Sequence, residues 1–172
     1  MIQSPDPARI SPHRGLTFSG EVLPHHPGQV CQLAEATGFF NREEVSIAEE
    51  LVGERLAGGE ASGYLFLFAH HNQNLAGYTC WGAIPGTQSS YDLYWIVVHP
   101  DWQGKGLGRE LMARTEALIQ QAGGGKIYIE TSSRDQYIPT QGFYGRMGYT
   151  REALLPDFYA PGDGKLIYAK KV

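Results

Sequence analysis

The sequence predicts a single α/β domain with its elements in the order β-α-α-β-β-β-α-β-α-β-β. Three observations carry this. An apolar strand, Leu93 to Val98, runs through His99-Pro100 into a loop holding Gly104, Gly106 and Gly108, and an amphipathic helix follows. The polar stretch His71 to Asn74 separates two strand-like runs and marks a hairpin. Asn41-Arg42-Glu43-Glu44 has the spacing of an N-cap and capping box ahead of a helical apolar stripe. At 172 residues, 42% of them hydrophobic and 19% charged, the chain can bury the core of one domain.

Each element has its own signal. Residues 1–15 carry Pro5, Pro7 and Pro12 among polar residues and read as a poorly ordered arm, so the domain spans 16–172. Leu16 to Val22 is a first strand and Pro24 to Thr37 a short helix. The second helix places Val45, Ala48, Leu51, Val52 and Leu56 on one face, and Gly58-Gly59 stops it. Tyr64 to Ala69 and Leu75 to Trp81 form the hairpin, and Tyr91 to Val98 the central strand. The helix from Gly106 to Gln121 turns Leu107, Leu111, Met112, Thr115, Leu118 and Ile119 inward before Gly123-Gly124-Gly125. A strand, Lys126 to Thr131, precedes a helix around Thr140 to Met147, with Pro139 suited to its first turn. Strands near Thr150 to Leu155 and Leu166 to Lys170 flank a loop rich in Pro, Gly and Asp.

Composition excludes several classes of function. A net charge of −4 with only short cationic clusters argues against nucleic acid as a partner. No apolar run approaches a membrane span, and the N-terminus lacks a basic region followed by an apolar one. Cys31 and Cys80 are far apart, without a C-x-x-C pair, and read as reduced thiols of a cytoplasmic protein. His25-His26 and His70-His71 lack the i, i+4 spacing of a metal site, so they read as turn or surface residues and no metal is expected.

The glycine loop is the strongest functional signal. Glycines leave no side chain between the backbone and a ligand, so N–H groups opening the helix can converge on one anion, assisted by the helix dipole. Lys105 lies between glycines with no Ser or Thr after it, which excludes the P-loop pattern. Spacings of two and two exclude the dinucleotide fingerprint. Gln103 to Gly108, Q-x-x-G-x-G, instead resembles the pyrophosphate-binding motif of the GNAT N-acetyltransferase superfamily. Thr140 to Tyr149, TQGFYGRMGY, resembles that superfamily's F-Y-x-x-x-G-[FY] signature. The resemblance covers most of the chain from Thr17 onward and is strongest from Tyr91 to Tyr149.

The resemblance implies a mixed sheet whose central strands splay to admit a pantetheine arm, and acetyl-CoA as cosubstrate. It implies that the backbone of Gln103, Gly104, Lys105, Gly106, Leu107, Gly108 and Arg109 grips the pyrophosphate, with added charge from Lys105 and Arg109. Ile96, Val97 and Val98 would then face the pantetheine and acetyl groups, with a backbone N–H near Val98 polarising the thioester carbonyl. Tyr144 would protonate the leaving thiolate.

The base that takes a proton from the amine is left open. Asp92 shares a strand phase with Tyr94, Ile96 and Val98 and, by resemblance, takes the place of the carboxylate of the histone-acetylating branch. Glu130 and a water chain are the alternatives. The chain departs from the family pattern at Tyr137, where an Asn that contacts pantetheine is usual; Ser132 or Ser133 are its candidate replacements.

The expected acceptor is a primary amine of a small molecule or amino-acid derivative. Asp157 and Asp163, in a loop with Phe158 and Tyr159, favour a cationic one. A homodimer through exposed sheet or helix surface is a further expectation. The rivals are a catalytically inactive CoA-binding module, and an interaction domain whose glycine loop is only a turn.

Overall fold

The computed structural model describes residues 15–172, so the expected N-terminal arm, Gly15 apart, lies outside the described residues. The described elements are β1 (Leu16–Ser19), α1 (His26–Thr37), α2 (Arg42–Gly58), β2 (Leu65–His71), β3 (Asn74–Ala83), β4 (Ser90–Val98), α3 (Leu107–Gln121), β5 (Lys126–Ser132), α4 (Ile138–Arg146), β6 (Thr150–Ala160) and β7 (Asp163–Lys171). Their order is the predicted one. The seven strands form one mixed sheet in the order β1-β2-β3-β4-β5-β7-β6. β4 and β5 pair in parallel, and every other neighbouring pair is antiparallel.

Helices cover both faces of the sheet. Strand alternation sends Phe66 and Phe68 of β2 toward Val30 and Leu33 of α1 and Ala48 and Val52 of α2. Leu67 and Ala69 of the same strand join Leu107, Leu111, Met112 and Ile119 of α3, with Tyr144 of α4, in the second core. Close approach on that side depends on Gly77. A Cβ there would lie 2.9 Å from the Val97 carbonyl oxygen and 3.0 Å from Leu111 Cδ1. The buried hydroxyls of Thr79 on β3 and Thr115 on α3 bond at 2.7 Å and pin helix to sheet.

The capping box at α2 forms as predicted. Asn41 Oδ1 accepts the Glu44 N–H at 2.9 Å, and Glu44 Oε2 accepts the Asn41 N–H at 2.8 Å.

Four expectations need correction. β1 stops at Ser19, not Val22, because Ser19 Oγ accepts the Glu21 N–H and turns the chain. Leu56 and Leu118 are exposed; the last turn of α3 keeps Ile119, not Leu118, against the sheet. The closing strands are longer than expected, because Pro156 sits on the outermost strand, where its missing N–H costs no central ladder bond. Asp157 there takes a left-handed φ of 53°, its Oδ1 accepting the Gly162 N–H at 2.6 Å, and this shortens the intended loop to a turn. Lastly, His26 is buried at 2% exposure, stacked on Phe68 with ring centroids 3.9 Å apart, so it is no surface residue.

Candidate active site

β4 and β5 are joined by four register pairs, from Ser90–Lys126 to Leu93–Ile129. Beyond these, β4 continues to Val98 and β5 to Ser132 without pairing to each other. A cleft of about 990 Å³ opens in the fork. Tyr94, Trp95, Ile96, Val97 and Val98 line one side and Glu130, Thr131 and Ser132 the other. The parting leaves backbone groups of β4 without a partner strand, which suits an extended ligand that pairs with them.

At the far end of β4 the chain turns into the glycine loop. His99 Nδ1 accepts the Asp101 N–H at 3.2 Å, and Gln103 Nε2 donates to the Val98 carbonyl at 3.0 Å, tying the loop back to its strand. Gly104 and Gly106 hold left-handed φ angles of 70° and 89°, which disfavour any residue with a Cβ. Gly106 is the N-cap of α3, and no side chain caps that end. The first-turn N–H groups are therefore left for an anion. Gly108 lets Phe143 and Val98 close in, each about 3.6–3.7 Å from where its Cβ would stand.

Within this loop the cleft is lined by Gln103, Gly104 and Gly108. Leu107 is fully buried in the core, so only its backbone can serve a ligand. Lys105 and Arg109 are exposed and line no part of the cleft; Lys105 Nζ stands 5.8 Å over the Trp102 ring.

Tyr144 lines the cleft at 5% exposure, between Phe143 and Tyr168. Burial, then the neighbouring Tyr137 and Tyr168, push its phenol far above the usual tyrosine range, so it stays protonated and has a proton to donate. Asp92 lies within the paired part of the fork, opposite Tyr128, and a β-bulge at Tyr94 breaks the strand phase expected to join it to Ile96 and Val98: Leu93, not Asp92, shares their core. Burial, then Glu130, raise its carboxyl above the ordinary aspartate value, while Lys165 opposes them. Glu130 reaches the cleft itself, but its Oε2 is held 2.5 Å from Lys165 Nζ. Tyr94, which lines the cleft and meets Tyr64 edge-on, is pushed up to about 12 by burial and then by Asp92.

The proposed stand-ins for the missing Asn are already engaged. Ser132 Oγ donates to Asp163 Oδ1 at 2.5 Å, and Ser133 Oγ accepts the Gly164 N–H at 2.8 Å. Both hydroxyls thus tie the end of β5 to β7. Arg134 Nε completes the knot, 3.0 Å from Asp163 Oδ2, and its guanidinium lies over Tyr137. Tyr137 is nearly buried, lines the cleft and meets Phe39 edge-on at 4.8 Å.

Sequence reasoning anticipated the Phe158–Asp163 loop beside the acceptor but missed the rest of the outer wall. Phe39 and Phe40, from the α1–α2 connection, and Glu43 and Glu44, from the first turn of α2, line the cleft with Tyr159 and Asp163 from the β6–β7 hairpin. Phe39-Phe40 just ahead of a capping box was an available signal, since two adjacent aromatics in a connection cannot both enter a core. The pairing of Arg134 with Asp163 spans distant segments and left no local trace.

Comparison with known proteins agrees with this geometry. The sequence model of the Acetyltransferase (GNAT) domain matches residues 62–151. The N-alpha-acetyltransferase RimI of Mycobacterium tuberculosis is 31% identical over 120 residues, 70% of this chain and 64% of that protein, so the match spans less than two thirds of the relative. A crystal structure of a GNAT-family protein from Desulfovibrio desulfuricans superposes with a TM-score of 0.89 at 44% identity, covering 91% of this chain and 98% of that one. The structure of yncA from Salmonella typhimurium with its cofactor acetyl-CoA shares the fold, with a TM-score of 0.71 at 17% identity, over 91% and 94% of the two chains.

Proposed function

Since this chain belongs to the GNAT acetyltransferase family, we propose that it transfers the acetyl group of acetyl-CoA directly to a primary amine of a small molecule or amino-acid derivative. One observation carries the reading: the β4–β5 fork opens directly onto the uncapped, glycine-bounded start of α3. An elongated ligand with an anionic end and an amide-bearing arm fits both halves. The first turn of α3 receives the pyrophosphate, and the free edge of β4 at Ile96 to Val98 pairs with the pantetheine arm.

The amine nitrogen attacks the thioester carbonyl carbon as the C–S bond breaks. A β4 backbone N–H near Val98 stabilises the developing oxyanion, and Tyr144 delivers its proton to the departing sulfur. The amine arrives as an ammonium and must lose a proton first. Asp92 is the favoured acceptor, relayed past Tyr94, because the alternative carboxylate, Glu130, is engaged in an ion pair with Lys165. Asp92 lines no part of the cleft, so this relay passes through water.

The acidic and aromatic outer wall favours a cationic acceptor. A second reading, acetylation of a peptide α-amine, draws on the N-alpha-acetyltransferase relative. A cytoplasmic setting belongs to the same proposal and is supported by two unpaired cysteines. Among the described residues no helix is long and apolar enough to cross a membrane.

The test is thiol release from acetyl-CoA against a panel of small amines and short peptides, beside calorimetric titration of acetyl-CoA. Saturable binding with release dependent on a small cationic amine supports the proposal. Release with peptides alone favours the second reading, and binding without release under any amine makes the chain a CoA-binding module.

A further inference from the structure

The imidazoles dismissed on sequence spacing are gathered by the fold. His25 and His26 open α1, and His70 lies on β2 facing the same helix. The ring centroids of His25 and His26 are 4.6 Å apart, and those of His26 and His70 5.3 Å. One nitrogen from each lies within 4.8 Å of the others. We propose that His25, His26 and His70 form a site for a divalent transition metal of the zinc class, with water completing a four-coordinate sphere.

His70 is already arranged as a ligand. Gln29 Nε2 donates to the Gln73 carbonyl at 2.8 Å, which fixes the amide and turns its Oε1 toward His70. His70 Nε2 meets that oxygen at 3.2 Å and must donate to it. The remaining nitrogen, Nδ1, therefore carries the lone pair. A second partner that sets the tautomer in this way is a regular companion of metal-binding histidine.

His26 spends its own lone pair in this structure, since Nδ1 accepts the Leu23 N–H at 2.9 Å. Capture of the metal exchanges that hydrogen bond for a metal–nitrogen bond. The three donors must also contract, since donors on a tetrahedral metal stand about 3.4 Å apart. His25, exposed and at the helix end, supplies most of that movement. Three imidazoles with no thiolate or carboxylate among them suit zinc, nickel or copper over magnesium or calcium.

The cluster sits at the opposite end of α1 from Thr37 and Phe39, which reach the cleft, a helix length of about 18 Å away. A metal there staples α1 to the sheet and takes no part in acetyl transfer.

The experiment uses the full chain without an affinity tag, stripped with a chelator. Zn²⁺ is titrated by calorimetry and Co²⁺ by its visible absorption. The expected result is one equivalent bound with micromolar affinity, a raised melting temperature, and tetrahedral Co²⁺ bands. His25→Ala removes an exposed side chain and should weaken Zn²⁺ binding at least about tenfold; Gln29→Ala should weaken it by a similar factor through His70. Absence of one-to-one binding in the wild-type chain, or binding that His25→Ala and His70→Asn leave unchanged, overturns the proposal.

Discussion

Leu93 of β4 and Ile129 of β5 are the last backbone pair to join those two strands, and both side chains are buried in the α3-side core. The fork therefore begins where apolar packing locks the strands together. Its opening is a property of the core and does not wait for a ligand.

Tyr144 stands at the wall of that fork with its phenol held protonated. Tyr144→Phe should lower kcat by about 10²-fold or more and leave KM for acetyl-CoA nearly unchanged, since a general acid acts mainly in the transition state. Steady-state kinetics with a fixed amine checks this. Because Tyr144 does not titrate in the working range, the wild-type pH profile should show no alkaline limb that the mutation removes.

Asp92 and Glu130 are separable by pH. A base must be ionised, so rate should rise as pH climbs through the carboxyl that serves. Burial raises Asp92, placing its limb above the ordinary aspartate range. Asp92→Asn should abolish that limb and depress kcat/KM, whereas Glu130→Gln should keep the limb. A profile of Asp92→Asn that overlays wild type would remove Asp92 and leave a water chain.

Gly106 holds a φ of 89° at the start of α3. Gly106→Ala should cost about 1 kcal/mol of stability through the left-handed backbone. Gly106→Glu should abolish acetyl-CoA binding by adding bulk and negative charge where the anion is held. Calorimetry on both, beside thermal melts, separates the loss of fold from the loss of ligand.

The Thr79–Thr115 hydroxyl pair lies wholly inside the core. Thr115→Val strands the Thr79 hydroxyl and should cost about 1–3 kcal/mol, while the double change to Val should recover much of it. Denaturant unfolding of the four variants closes the cycle. Equal and additive losses would show that the pair contributes no coupling.

His26 gives the fold an acid-sensitive point. Its pKa falls from 6.5 to about 4 on folding, chiefly through burial and then through His25 and His70. The unfolded chain thus binds a proton that the folded chain refuses between those values. Stability is full above about 6.5 and falls as pH drops toward 4. Melting temperatures across that window should decline in the wild-type protein and decline less in His26→Gln.

Much of the fold was legible in the sequence because the decisive signals were local. The capping box at Asn41, the glycines after β4 and the turn between β2 and β3 each constrain a few adjacent residues. The donor side of the cleft follows from such signals. The rest depends on which distant segments meet. Nothing near Ser132 announces that its hydroxyl goes to Asp163, and nothing near His25 announces His70. Phe39 and Phe40 escaped notice because a wall built from a connection has no periodicity to read.

The irregular course of β6 has a consequence for how copies of this chain can meet. Its ladder with β7 is interrupted between Leu155 and Ala160, around Pro156 and the left-handed Asp157, and Leu154, Leu155, Phe158 and Tyr159 are all exposed there. A straight border with those side chains would template runaway strand addition. The kink denies an incoming strand a continuous row of hydrogen bonds. Strand addition along the whole of this margin is therefore disfavoured, and its exposed apolar side chains offer packing surface without a continuous template for fibrous growth.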